Sequence, residues 1–292
     1  MSIEDLAEWM REERIDTTRI DSFAQAATPL YCLANNRRFL ADLAIEELKQ
    51  AYSDTEAVYA YTAQVMILYR TTGWQDNFFI RANIWPALTD PIVKATGTGP
   101  FFYHRPHDHN FNFLTVGYEG PGYSSNYYEY DADKVDGYPG EHVPGLIYCG
   151  TTSLNRGRVM LYRAGVDVHD QLPPDSLSIS LNIVENTART RITDQYAFDL
   201  EKAVITQIIN IAPSPALFSA ALLLDRENTE GIVQDIAENA ASGYTRFNAI
   251  KALASTANEC GEYRETLSRG LDDRHRMVRE WTALHLARLG AG

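Results

Sequence analysis

The chain has few cysteines: Cys32, Cys149 and Cys260 are the only three in 292 residues, and they lie far apart. An odd, scattered set excludes a disulfide framework and a cysteine-based zinc knuckle, and makes a reducing, cytoplasmic setting the expectation. Positive charge is also scarce. Lysine and arginine total 26 against 39 acidic residues, giving a net charge of −13 and a pI near 5.0. A phosphate backbone needs a basic footprint, so nucleic acid is excluded as a partner. The densest basic run, Arg269 to Arg279, is interrupted by Asp272 and Asp273. No apolar run approaches the length of a membrane span, so no membrane partner is expected. The acidic, amphipathic start also lacks the basic and apolar parts of a secretory signal.

The remaining composition, 45% hydrophobic and 22% charged, is ordinary for a globular protein,. A chain of this length accommodates two domains, or one with appendages. Ile3, Leu6, Ala7 and Met10 recur at helical spacing behind an acidic first turn,. A second, weaker helix is expected to end near Ala27. Asn35 or Asn36 then reads as the cap of a longer helix whose apolar face is Phe39, Leu43, Ile45, Leu48 and Ala51,. These helices are expected to cover one face of a sheet.

From about Ala63 the texture becomes β-branched and aromatic. Residues 64–72 and 77–85 read as a hairpin around Gly73 and Asp76, and further strands are expected at 111–118, 126–131, 146–152, 158–163 and 176–184,. Gly/Pro turn signals separate them, as in a β-sandwich or barrel. From about Ala197 the strand signals give way to helical periods, including Leu200, Val204, Ile208, Leu217, Leu222, Leu223 and Ile232. Arg246–Leu253 and Arg279–Leu286 are similar at an offset of 33 residues. That texture fits either HEAT-type repeats or an ordinary helical bundle.

Five of the seven histidines fall between His104 and His169. His107 and His109 are separated by one residue, which in extended chain puts both rings on one side. His169, in a later β-like stretch, is the candidate third ligand of a first-row metal. Without a metal, the same residues read as two loop histidines and a strand-end histidine.

With His-Asp-His at 107–109, a later histidine at 169 and the surrounding strands, the segment 64–185 resembles the cupin superfamily. The resemblance implies an α+β protein in which a cupin-type β-barrel (63–195) lies between an N-terminal helical segment (1–62) and a C-terminal HEAT-like helical domain (196–292). The glutamate that many cupins add as a ligand is replaced here by Phe113 and Leu114. The three-histidine thiol dioxygenase branch is therefore the better match, and Arg81 falls where that branch holds a substrate carboxylate. The chain departs from the branch at Asn182 and Val184, which stand where its Ser-x-His-x-Tyr set has His and Tyr. Leu114 stands near the position of its linked cysteine. Cysteine-like substrates are thereby disfavoured.

Iron(II) is the metal this resemblance favours, with nickel, manganese, copper and zinc chemically compatible. Arg81, Tyr103, Asp108 and Arg163 are the candidate catalytic residues. Asp108 is a candidate to orient a ligand, or to act as the carboxylate of a two-histidine triad as in 2-oxoglutarate oxygenases; Asp167 and Asp170 are candidates to orient His169. Tyr103, Tyr118, Tyr128 and Tyr162 are candidate proton donors, and Arg163 is either a pocket charge or an exposed strand end. His104 is a substitute ligand or a loop residue, and His275 and His285 read as structural. Asn110, Asn112 and Asn182 are candidate polar groups of the cavity, whereas residues 123–131 read as an edge strand. Three functions follow: an oxygenase acting on a carboxylate-bearing small molecule or a peptide side chain, a non-catalytic metal- or ligand-binding module whose helical domain contacts a protein partner, and a metal-dependent isomerase or lyase.

Overall fold

The computed structural model describes residues 1–51, 62, 64–71, 76–210, 214–257 and 259–290. It divides into two compact units, Met1–Tyr130 with Leu146–Thr190, and Asp131–Gly145 with Arg191–Gly292. This differs from the three-part division expected. The N-terminal helices share a core with the sheet beside them, so they form no separate segment.

The first unit opens with helix α1 (Ile3–Glu12). Ser2 and Asp5 form a reciprocal capping box at its start, and Ile3, Leu6, Ala7 and Met10 are buried,. Helices α2 (Ile20–Phe23), α3 (Ala27–Asn35) and α4 (Phe39–Ala51) follow. Asn36 ends α3, its N–H donating to the Leu33 carbonyl before the backbone turns extended, and so is not the cap of the next helix. Phe39 and Leu43 of α4 pack on the core, whereas Ile45 is 50% exposed. The side chains of Leu48 and Ala51, like the Gly73 turn of the first hairpin, lie outside the described residues.

Eight strands follow the expected pattern: β1 (Val65–Tyr69), β2 (Phe78–Trp85), β3 (Phe113–Glu119), β4 (Ser124–Glu129), β5 (Ile147–Ser153), β6 (Val159–Tyr162), β7 (Asp167–Leu172) and β8 (Ser178–Glu185), with the short helix α5 (Pro91–Thr96) after β2. They form two antiparallel sheets, ordered β1-β2-β8-β3-β6 and β5-β4-β7. Among the described residues, isolated bridges accompany these sheets, and no continuous ladder closes them into one barrel. Strand β4 is the centre of its sheet, so 123–131 is not an edge.

Alternation along the strands sorts residues between the two faces of the larger sheet. Ile80, Ala82, Leu114, Val116, Leu181 and Ile183 form one cluster with Leu6, Met10, Phe23, Leu30 and Leu33 of the helices. Each such side chain contributes about 1.5–3 kcal/mol through burial. Phe79, Arg81, Asn83, Phe113, Thr115, Asn182 and Val184 occupy the alternate positions, on the opposite face. Gly117 lets the 154–158 turn approach β3: a Cβ there would lie 2.3 Å from the Asn155 carbonyl oxygen.

Helix α6 (Arg189–Ile192) carries the chain across the division into the second unit. That unit begins with a hairpin, β9 (Tyr196–Asp199) and β10 (Val204–Ile208), where helical periods were expected. Val204, Ile205, Thr206 and Ile208 are β-branched and fit a pleated surface. The Asp199 carboxylate accepts from the backbone of Glu201 and Lys202 to fix the turn. The 131–145 segment joins the same unit because its backbone bonds along β10, through Gly140 to Ile205 and Val143 to Ala203.

Helices α7 (Ser214–Leu224), α8 (Arg226–Asn239), α9 (Gly243–Ala254), α10 (Cys260–Ser268) and α11 (Arg276–Gly290) complete the chain. Phe218 and Leu222 of α7 face their core; of the three leucines expected there, Leu222 is buried, whereas Leu217 and Leu223 are 61% and 85% exposed. The two similar octapeptides lie on α9 and α11, and both their arginines bind Asp273: Arg246 its carboxylate, Arg279 its carbonyl. Among the described residues, no helix is long and apolar enough to cross a membrane.

Candidate metal centre

The segment leading into β3 runs beside β7. The His107 N–H donates to the His169 carbonyl at 3.1 Å, and the His169 N–H to the His107 carbonyl at 2.9 Å. A pair that exchanges both bonds projects its side chains to the same side, and His109, two residues on, joins them. The three rings lie 4.5 to 5.1 Å apart by centroid. Nε2 of His169 is 3.0 Å from Nε2 of His109 and 3.2 Å from Nε2 of His107. Two nitrogens each about 2.1 Å from one shared ion, at an angle of roughly 90–110°, are separated by about 3.0–3.4 Å, so the donor set fits a metal.

Protonation is also right for a metal. His107 donates from Nδ1 to the Arg105 carbonyl at 2.7 Å, which leaves its Nε2 with a bare lone pair,. Burial lowers the His107 pKa to about 4 and holds His109 and His169 well below their ordinary value, so all three rings are neutral at pH 7. Nδ1 of His169 is buried without a hydrogen-bond partner, so this ring lacks the anchor that His107 has. Among the described residues, these three are the group of His, Cys, Asp and Glu side chains arranged to hold an ion.

Asp108 points the other way, its carboxylate accepting a 2.5 Å hydrogen bond from the Tyr130 hydroxyl. It anchors the loop and does not complete a two-histidine, one-carboxylate set. Arg81 lies on the inward face of β2, 5.9 Å from the Phe111 ring, which in turn lies tilted beside His109 at 4.8 Å. Its Nε is buried without a partner, and desolvation lowers its pKa to about 10, so it remains a cation.

Other candidates are committed elsewhere. Tyr103 donates to the Pro86 carbonyl at 2.8 Å inside an aromatic cluster. Arg163 binds Asp167 and Glu129 with its side chain 38% exposed, which makes it a strand-end ion pair and removes Asp167 from any role on His169. Asp170 takes the Asn126 amide. Tyr118 donates to Asn36, Tyr128 packs on Tyr148, and Asn110 and Asn112 bond to backbone carbonyls. His104 and His142 are exposed. His275 accepts from the Met277 N–H, and His285 meets the Trp281 carbonyl.

Tyr162 alone of the tyrosines named beforehand reaches the cluster, its ring 5.0 Å from His169. Its hydroxyl is 2.8 Å from that of Tyr127, and Tyr123 is a further buried tyrosine beside it. Burial raises all three pKa values, so these hydroxyls stay protonated. Tyr123, Tyr127, Asn83 and Thr115 escaped sequence reading. The signal available was alternation: Ser125 and Tyr127 share one face of β4, and Tyr123, just before the strand, continues the same parity.

No sequence-family model matches the chain, and no curated protein sequence does. Among solved structures it is similar to a chain from the DMSP lyases RdDddP and RnDddQII (10% identity over 47% of this chain and 60% of that one, TM-score 0.27). It is also similar to hydroquinone 1,2-dioxygenase PnpCD (11% identity, 40% and 62%, TM-score 0.24) and to a cupin-like protein from Thermotoga maritima (13% identity, 52% and 92%, TM-score 0.27). The chain thus spans about three fifths of the lyase and dioxygenase chains.

Proposed function

We propose that the first unit is a cupin-type metal centre and that the protein is a non-haem iron(II) oxygenase acting on a small carboxylate-bearing molecule. The observation that carries this reading is the convergence of three neutral, buried Nε2 atoms from two separate stretches of chain. His107, His109 and His169 would hold the metal. Three neutral ligands leave a bound iron(II) its full charge and open positions, so it supplies Lewis acidity and dioxygen activation.

The chain's own residues do the rest. Arg81, a buried cation with an unpartnered Nε, binds the substrate carboxylate,. Phe111 and Phe113 pack against His109 and exclude water on that side,. The protonated, hydrogen-bonded hydroxyls of Tyr127 and Tyr162 lie on the side of His169, with buried Tyr123 next to them. The helical unit, with its HEAT-like offset, is assigned a protein-contact role. Those same tyrosines favour a second reading, a metal-dependent lyase or isomerase, in which a hydroxyl exchanges a proton with substrate.

Metal analysis of untagged protein tests the centre. The wild type holds about one ion per chain, and His107→Ala and His169→Ala lose it. Stoichiometric metal in both variants would end the assignment. An oxygen electrode then separates the readings, since the oxygenase consumes dioxygen with turnover and the lyase turns over without it.

A further inference from the structure

Arg81, Asn182 and Thr115 form one row across the inner face of the larger sheet. Arg81 is in register with Asn182, and Asn182 with Thr115. The Asn182 amide donates to Asn83 Oδ1 at 3.2 Å, which holds the middle of the row. Both ends are unsatisfied: Arg81 Nε and Thr115 Oγ1 are buried with no hydrogen-bond partner. A buried polar group without a partner costs about 1–3 kcal/mol, and two at the ends of one row, on the face that carries Arg81 toward the histidines, point to a ligand that satisfies both.

We infer that Thr115 is a specificity-determining residue: it hydrogen-bonds a second polar group of the acid whose carboxylate lies on Arg81. The inference rests on the reading of this inner face as the substrate site. Strands lie about 4.8 Å apart, so the Arg81 and Thr115 backbones, two strands apart, are separated by about 9.6 Å. A hydrogen bond at each end takes about 2.9 Å, which leaves about 4 Å or less between the ligand's polar atoms once the arginine's reach is counted. That separation fits a carboxylate oxygen and a second heteroatom roughly three or four bonds apart. The ligand class is therefore a short hydroxy, oxo or amino acid substituted at the second or third carbon. Asn182 stands where a thiol dioxygenase has histidine, and here it belongs to this row.

Equilibrium binding of propionate and 3-hydroxypropionate to the full chain, followed by NMR with and without prior chelation, tests this. The wild type prefers the hydroxy acid by about fivefold, the worth of one net hydrogen bond. Thr115→Val brings that ratio to one, Thr115→Ser restores the preference, and Arg81→Leu abolishes binding of both acids. Should Arg81→Leu fail to fold, propionamide on the wild type tests the same need for charge and should not bind. A preference that survives in Thr115→Val, no binding of either acid by the wild type, or propionamide binding equal to propionate overturns the inference. A wild type that takes up no metal yet keeps the preference removes the oxygenase reading alone; metal uptake without the preference removes this inference alone.

Discussion

The two faces of the five-stranded sheet are made by the same strands, yet they differ in kind. Toward the helices, Phe78, Ile80 and Ala82 of β2, Leu114, Val116 and Tyr118 of β3, and Leu181 and Ile183 of β8 are buried in one apolar cluster. On the other face, Arg81, Asn83, Thr115 and Asn182 interrupt the aromatics, and two of their polar atoms lack partners. A sheet selected only for stability would not leave buried donors unpaired. The first face holds the fold together, and the second gives up stability for a binding surface.

The comparison breaks most visibly at neighbouring residues. Leu181→Ala, on the helix-facing side, should cost about 2–5 kcal/mol in denaturant unfolding while folded protein still takes up metal. An equal loss of metal at temperatures where the variant is folded would show that the faces are not separable. Acid tests the inward side next. Unfolded chain protonates its imidazoles below about pH 6.5, whereas buried His107 resists until about pH 4,. The stability of metal-free protein is therefore complete above pH 6.5 and lost as pH falls from 6.5 to 4. His107 alone accounts for about 3 kcal/mol over that window, and urea midpoints for wild type and His107→Gln should converge as pH falls.

Smaller effects sharpen the contrast. Thr115→Val removes an unpaired buried hydroxyl and should raise stability by up to about 1 kcal/mol even as it erases discrimination between the two acids. A clear destabilisation would mean that the hydroxyl has a structural partner. Arg163→Gln, at an exposed ion pair, should change stability by under about 1 kcal/mol and leave metal content unaltered. Loss of metal there would return Arg163 to the site.

Much of this was legible in the chain. β-Branched and aromatic runs between Gly/Pro turns marked seven of the eight strands of the first unit, with β7 read only as a β-like stretch around His169,, and one-residue spacing put His107 and His109 on a common side because that periodicity belongs to the backbone itself. Asp108 pointing away follows from the same rule. The 197–209 hairpin was misread because Leu200, Val204 and Ile208 recur at fours, a helical spacing, while the β-branched run through Val204, Ile205 and Thr206 favoured a strand,. On α7, Leu222 was read correctly, but Leu217 and Leu223 were added to its face and Phe218 was missed, because that helix is apolar nearly all round.

The sequence by itself determined most local elements of the first unit, the lack of a disulfide framework or basic footprint, and the identity of the three imidazoles. Only tertiary structure could decide that His169 lies opposite His107, that Arg163 is consumed by two carboxylates while Arg81 is not, and that Asn182 joins Arg81 to Thr115. Those facts depend on which strand lies beside which, and register between residues far apart in the chain is fixed by packing rather than by local spacing.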